Sequence, residues 1–459
     1  MLAWPIGRKK SDHTGWSYQG SYFGVVVRKI LISLLGIALT GAILWVIGTS
    51  AGAFLAGVHG ISPSFWMKGA VEVLLKVFAI VTTLLLYRVW RLSGDVHLWL
   101  TGALMLQHLA SVIHYAVNAP IGDDFLVLLP YATEPTAAGL FEPYNGSLLV
   151  VNKLLAVVLA GLGSLNFVAL ILISNLAIIS CIFMLTPRAE LRLVLALLLL
   201  NFGYYNVTIW GSSVCNALVV TFAIAAFHFA KEQKAAAATF LALLSALTFG
   251  NGLFTPLLII PLLRKKLVAL LSALGVILLF ALTSDNGPLG LHPPLDHLRF
   301  VCMFLGSFFQ FGYTSYLPFI AGIAILMVAL IIVLQRPYTP LTALVLLLLL
   351  SAGAAAQFRL PQGIGTALAN HYIFYSVLMV GAVVIFLHEK RSMRLLVPAA
   401  AYCLLASFMF TGEIAIRKKQ LIDYRDRIVS GEPTIHHSTN FPANADSIAI
   451  IAMERGIWP

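Results

Sequence analysis

The stretches 193–200 and 343–350 are apolar at every position, and long blocks like them recur roughly a dozen times along the chain. A backbone with no water beside it must satisfy its own N–H and C=O groups, so such a block in hydrocarbon is a helix or part of a closed barrel. Neither stretch alternates apolar and polar residues as barrel strands do. Helices are therefore expected. Composition shows that the hydrocarbon is lipid rather than a protein core. Of 459 residues, 60% are hydrophobic and 10% charged, against about 25% charged in soluble domains.

Counting about 20 apolar residues as one span places segments near 30–57, 70–90, 97–117, 165–186, 191–206, 213–230, 236–262, 267–284, 298–312, 315–335, 340–357, 371–388 and 395–412. The expected fold is all-α, a polytopic transmembrane helical bundle of about 11–13 hydrophobic segments. The run 236–262 is interrupted by Gly250-Asn251-Gly252, so it reads as a helical hairpin or broken helix. The run 298–312 is short and reads as a dip into the membrane. The first apolar run begins at about Ile30, too late and too long for an ordinary cleaved signal peptide.

The formal net charge of +11 points to nucleic acid in a soluble protein. In a membrane protein it reflects cytoplasmic loops rich in Lys and Arg, so no nucleic-acid partner is expected. Basic clusters fall at Arg8/Lys9/Lys10/Arg28/Lys29, Arg88/Arg91, Arg188/Arg192, Lys231/Lys234, Arg264/Lys265/Lys266, Arg336 and Lys390/Arg391/Arg394. With 236–262 as a hairpin and 298–312 not crossing, all lie on one side, expected to be cytoplasmic with the N-terminus. The loops 118–164, 206–212, 285–297 and 358–370 then face the other side, with the tail from 413. Arg417, Lys418 and Lys419 in that tail sit on the unexpected side. Three regions follow: 1–94 with two spans, 95–412 as the main bundle, and 413–459 as a tail.

Cys181, Cys215, Cys302 and Cys403 lie inside apolar runs without metal-ligand spacing and read as packing residues. The membrane-embedded segments read as poor in paired charges. The first large external loop is more telling. It holds Asp123-Asp124, Glu134, Glu142 and Lys153, and 152–162 reads as an amphipathic helix along the interface.

Several short motifs recur in a fixed order. They are Asp123-Asp124; Pro143-Tyr144-Asn145-Gly146-Ser147-Leu148 followed by Lys153-Leu154-Leu155; Ile209-Trp210-Gly211-Ser212-Ser213; Leu247-Thr248-Phe249-Gly250-Asn251-Gly252-Leu253; and Arg359, Gly363, Gly365 with Asn370-His371-Tyr372. In this order, over about residues 97–390, the chain resembles a family of bacterial multi-pass proteins similar to GT-C glycosyltransferases, which use lipid-phosphate sugars. Gly146, Ser147 and Leu148 stand where the family pattern has Glu-His-Arg, and His371 stands where it has Arg.

The resemblance implies an integral membrane glycosyltransferase of the bacterial inner membrane. Its donor would be an undecaprenyl-phosphate-linked sugar, and its acceptor a cell-envelope glycan or glycolipid on the periplasmic face. Such transfer needs a base for the acceptor hydroxyl and cationic groups for the leaving phosphate. By resemblance the base is Asp123 or Asp124. Neighbours on a helix point in different directions, so one could act while the other caps a helix or holds a metal ion. A divalent metal stays open, and beyond the donor no cofactor is implied.

For the phosphate, Arg359 suits bidentate contact, with Lys153 and His371 as helpers. Tyr144, Asn145 and Tyr372 complete the expected substrate contacts. Each has a plainer reading: Asp123 as a helix cap, Pro-Tyr-Asn-Gly as a turn, Arg359 and Lys153 as interfacial anchors. Rival functions are a transporter or lipid-linked-glycan flippase, a polysaccharide polymerase, and a non-catalytic membrane protein.

Overall fold

Eight helices are long and apolar enough to cross a membrane, and no strand occurs among the described residues. The structure is a computed structural model, and it describes residues 29, 33, 63–90, 94–283, 292–311, 316–335, 337–388, 393–432 and 441–459. The expected span at 30–57 (Ser33 apart) lies outside the described residues, as do Arg8, Lys9, Lys10, Arg28, Arg91, Arg336, Lys390 and Arg391.

In chain order the main helices are α1 (Pro63–Trp90), α2 (Val96–Tyr115), α3 (Val150–Gly161), α4 (Phe167–Leu185), α5 (Ala189–Leu199), α6 (Val214–Lys231) and α7 (Ala235–Thr248). Then come α8 (Leu267–Thr283), α9 (Pro294–Leu305), α10 (Tyr316–Gln335), α11 (Pro340–Arg359), α12 (Asn370–His388), α13 (Leu396–Ser430) and α14 (Ala445–Glu454). Membrane-crossing length belongs to α1, α2, α4, α6, α10, α11, α12 and α13. Helix α6 and helix α12 are the most enclosed, with 67% and 72% of their apolar windows buried.

Three apolar runs do not cross as single helices. In the run 236–262, α7 ends where Phe249 turns to extended geometry (φ −159°, ψ 157°). A short helical arm over 250–262 then returns alongside α7. Gln233, just before α7, donates to Leu262 O at 2.8 Å and accepts from Arg264 N at 2.8 Å. The arm therefore ends where α7 began. A Cβ on Gly252 would collide with the Ser245 carbonyl, so the close approach of arm and helix depends on glycine.

In the run 298–312, α9 spans only 12 residues. His297 lies 3.0 Å from Gln357 near the end of α11, and Ser376, early in α12, donates to Leu305 O at 2.5 Å. Both ends of α9 thus stay in the half of the bundle where α11 ends and α12 begins. The third run, 191–206, forms an 11-residue α5 that breaks at Leu200. Helix α5 is enclosed by neighbours, with Leu191 and residues 193–199 all buried, and irregular backbone at membrane depth is tolerated only in such a place.

Several groups freed at this break are met by side chains. Lys76 Nζ donates to Leu200 O at 3.2 Å. Tyr204 OH donates to Leu199 O. Asn201 bonds Leu198 O at 2.7 Å and Gly203 N at 2.7 Å. Asn370, the first residue of α12, donates to Gly203 O at 3.0 Å and accepts from Asn206 N at 2.7 Å.

The ammonium of Lys76 is itself buried inside α1, where it pairs with Glu72 at 3.3 Å and bonds Gln107 at 2.8 Å. Glu72 accepts from Gln107 at 2.7 Å and from Ser111 at 2.9 Å. This is one paired charge in embedded segments that read as poor in them. The i,i+4 spacing shows the pair, but not its burial, which depends on Gln107 and Ser111 of α2 and on Leu200 at the break in α5.

The tail also differs from expectation. Helix α13 runs without interruption across position 413 to Ser430. Arg417 bonds Tyr205 OH at 2.9 Å and Glu413 at 3.2 Å, and Lys418 donates to His114 O at the end of α2. These cations cap helix ends and hold a tyrosine, so their side of the bundle needs no other explanation.

Lys76→Met would leave Glu72 without its cation and Leu200 O without its donor. Removing one member of a buried ion pair costs about 3–5 kcal/mol. Thermal unfolding of the purified protein should show this loss for Lys76→Met. The double variant Glu72→Gln with Lys76→Met should recover a substantial part of it.

Candidate functional site

Helix ends converge at one end of the bundle around a cavity of about 720 Å³. An outer vestibule of about 520 Å³, beneath the 360–369 segment, shares Asp123, Asn145, Arg359, Ala369, His371 and Tyr372 with it. Six of the eight residues singled out in the sequence line this space: Asp123, Tyr144, Asn145, Arg359, His371 and Tyr372. Asp124 and Lys153 do not.

Asp124 is fully buried, facing protein. Its Oδ1 accepts from Ser212 N at 2.6 Å and its Oδ2 from Ile121 N at 2.9 Å. Burial pushes its carboxyl up to about 8, against the opposing pull of those backbone donors. Trp210 lies against Gly122 and donates to Ile121 O at 2.6 Å; a Cβ on Gly122, at φ +54°, would collide with the indole. Asp124 and Trp210 therefore fasten the acidic loop to the start of α6. Asp124 thus faces protein, whereas Asp123 faces the cavity. Among the described residues, Asp123 is the one carboxylate lining the cavity.

Asp123 is half-buried and accepts from Tyr144 OH at 2.8 Å. Tyr144 and Ser147 exchange backbone hydrogen bonds of 2.9 Å in both directions. Asn145 (φ 48°) and Gly146 (φ 70°) between them take left-handed geometry, which makes a type I′ turn. The turn and the contact role coincide, because the turn aims the Tyr144 hydroxyl at Asp123. Burial, and then the carboxylate it donates to, hold that hydroxyl well above the ordinary tyrosine range.

Lys153, expected among the substrate contacts, also faces protein. Its ammonium donates to Gly139 O at 2.6 Å and Glu142 O at 2.7 Å, and it is 5% exposed. Burial lowers its proton affinity. It ties α3 to the preceding loop and does not reach the cavity.

Across from Asp123, Arg359 ends α11. Its side chain contacts Gln362 at 3.3 Å, and no carboxylate pairs with it among the described residues. Its charge also acts on Tyr144, His371 and Tyr372. The inner flank is apolar: Leu253 and Phe254 of the arm, Phe280 of α8, and Ala354, Ala355 and Phe358 of α11. Phe358 among them is 48% exposed. No three His, Cys, Asp or Glu side chains among the described residues gather round one point.

The tail proves to be part of the site's support. Trp458 is buried and donates from Nε1 to Asn118 O at 3.2 Å, and Leu165 N donates to Ile457 O at 2.7 Å. Arg455 pairs with Glu134 at 2.6 Å. Phe441 and Tyr424 pack on Phe125, the neighbour of Asp124. The sequence holds a signal for this, Trp458 after the apolar run Ile448–Met453, but nothing in it names Asn118 as the partner.

Sequence reasoning missed the polar residues deeper in the cavity: Asn206, Asn216, Ser351 and Tyr375. Their signal was present, since amides and hydroxyls inside apolar helices mark cavities or helix contacts. Comparison with protein-family models, with curated proteins and with solved structures finds no match to this chain.

Asp123→Asn should leave thermal stability near that of the wild type, whereas Asp124→Asn turns an amide donor toward one of two backbone N–H groups. An unmet buried donor costs about 1–3 kcal/mol, which a melting curve would resolve. Asp124 keeps its proton to a higher pH when folded than when unfolded. Its contribution to stability is therefore complete below pH 3.8 and is lost as pH rises to about 8. Replacement by Asn should flatten the stability-against-pH profile across that window. Trp458→Ala should increase proteolysis within 118–165 while leaving the membrane helices protected.

Proposed function

We propose that the chain is a GT-C-like integral membrane glycosyltransferase. It transfers a sugar from a polyprenyl-phosphate carrier, undecaprenyl phosphate in a bacterial inner membrane, to an envelope glycan or glycolipid on the periplasmic face. The observation that carries this reading is one cavity that, among the described residues, is lined by a single carboxylate and by an Arg with no carboxylate partner, beside an apolar flank.

In the reaction, the acceptor oxygen attacks the anomeric carbon as Asp123 Oδ takes its proton. The anomeric C–O bond to phosphate breaks, and the electron pair leaves with the lipid phosphate. Arg359 receives the developing charge as a bidentate donor, with His371 and Tyr372 beside it. Tyr144 holds the Asp123 carboxylate in place before the proton arrives. Single displacement inverts the anomeric centre. The isoprenoid chain follows the flank formed by Phe254, Phe280 and Phe358.

A transporter or flippase is the second reading. What favours it is the arm 250–262, whose broken helix faces the cavity much as unwound helices face transported substrates.

Mass spectrometry of envelope glycans in a deletion strain separates the two. Loss of a sugar-sized unit, restored by wild type but not by Asp123→Asn, is expected. The direct rate effect should be about 10²–10⁴-fold. Asp124→Asn should restore the sugar in proportion to the folded protein it yields. An unchanged glycan in the deletion strain would favour transport, and full rescue by Asp123→Asn would remove that residue as the base.

A further inference from the structure

The formal charges lining the cavity, Asp123 and Arg359, both sit toward its outer end. Along α11, Ser351 lies eight residues before Arg359, about 12 Å deeper at 1.5 Å per residue. At that depth the lining is uncharged but rich in hydrogen-bonding groups. Asn216 of α6 accepts from Tyr375 OH of α12 at 2.9 Å. Asn251, at the tip of the arm, donates to Ser351 Oγ at 3.2 Å, and Ser351 passes its own proton to Leu347 O at 2.7 Å. The second polar atom of Asn251, its Oδ1, is buried without a protein partner. The rings of Trp210, Phe249, Phe304 and Tyr375 line the same region.

An orphaned buried acceptor costs free energy until a donor reaches it. No cation lies at this level to accept a phosphate. A neutral ligand that brings hydroxyl donors and flat C–H faces fits both the amides and the rings. We propose that this floor is a subsite for a neutral polyhydroxylated group, the sugar itself, and that Asn251 is its specificity-determining contact. On the proposed function, on which this rests, the donor lies with its phosphate at Arg359 and its sugar directed down to the arm. A ligand hydroxyl donates to Asn251 Oδ1, and the Ser351 hydroxyl fixes the amide so that its oxygen faces the ligand. The arm is thereby a sugar-reading element. The break at Phe249 presents an amide to the cavity where a continuous helix would have spent its polar backbone on itself.

The test uses the full chain in nanodiscs and three probe sets, with calorimetry or native mass spectrometry as the readout. Citronellyl phosphate carries the phosphate alone. Citronellyl glycosides carry a sugar alone, and citronellyl phosphoryl hexoses carry both. The sugars are glucose, galactose, mannose and N-acetylglucosamine. At least one phosphoryl hexose should bind about tenfold or more tightly than citronellyl phosphate, a difference of about 1.4 kcal/mol. Asn251→Ala should erase that surplus while leaving citronellyl phosphate binding unchanged. Ser351→Ala, which keeps the amide but frees its orientation, should reduce the surplus in part. Arg359→Gln should weaken both phosphate-bearing sets.

If no sugar adds affinity, or if Asn251→Ala leaves the surplus intact, the floor is a water site and the inference is overturned. Equal loss of every probe in Asn251→Ala, with no loss in Ser351→Ala, would also overturn it. If citronellyl phosphate does not bind but a glycoside binds in an Asn251-dependent way, the floor stands and the lipid-phosphate reading of the function falls. If neither binds, both fall.

Discussion

A backbone that breaks inside a membrane must find its hydrogen-bond partners in the protein, because the lipid supplies none. That constraint organises this structure. The bundle contains two breaks that matter, after α5 and after α7, and the first is answered by side chains, several of them from distant helices. At the first, Lys76, Asn201, Tyr204 and Asn370 meet the freed groups. At the second, Gly252 lets the returning arm lie against α7, and Asn251 is left facing the cavity. The price of irregularity in lipid explains why α1 carries a buried ion pair: a strong donor is needed at Leu200, and the donor must bring its own counter-charge.

The same breaks build the site. Because Asn370 holds the loop after α5 with both ends of its amide, the residues that follow it, His371 and Tyr372, are placed at the cavity wall. Because the chain after α5 does not continue as a helix, Tyr205, Asn206 and Trp210 reach the cavity and the acidic loop. Asp124 then closes that loop onto the start of α6, and Asp123 is presented with Tyr144 as its donor. Two adjacent carboxylates thus have opposite surroundings. One is spent on backbone N–H groups and the other is open to the cavity.

Much of the architecture is readable in the sequence, because lipid imposes length and apolarity on every span. The hairpin at Gly250-Asn251-Gly252 is readable too, since paired glycines weaken a helix, and the basic clusters require the chain to return. The pairing of Glu72 with Lys76 is visible as an i,i+4 spacing. Its burial is not, because that depends on Gln107, Ser111 and Leu200. Motif order brings Asp123, Tyr144, Arg359 and His371 to attention, but motif order cannot show which way a side chain points. Asp124 and Lys153 share the loop's chemistry and differ from Asp123 only in facing inward. The tail escapes sequence reading altogether, as its contacts are with residues some hundreds of positions away.

That last separation sets an order of events. Trp458 meets Asn118 across 340 residues, a long loop to close before any contact is gained. The spans can insert one after another as the chain emerges. The loop bearing Asp123 gains its final buttress only after residues 441–459 have reached the same side of the membrane. The loop that carries Asp123 therefore packs late, after the chain beyond α13 has folded back to it.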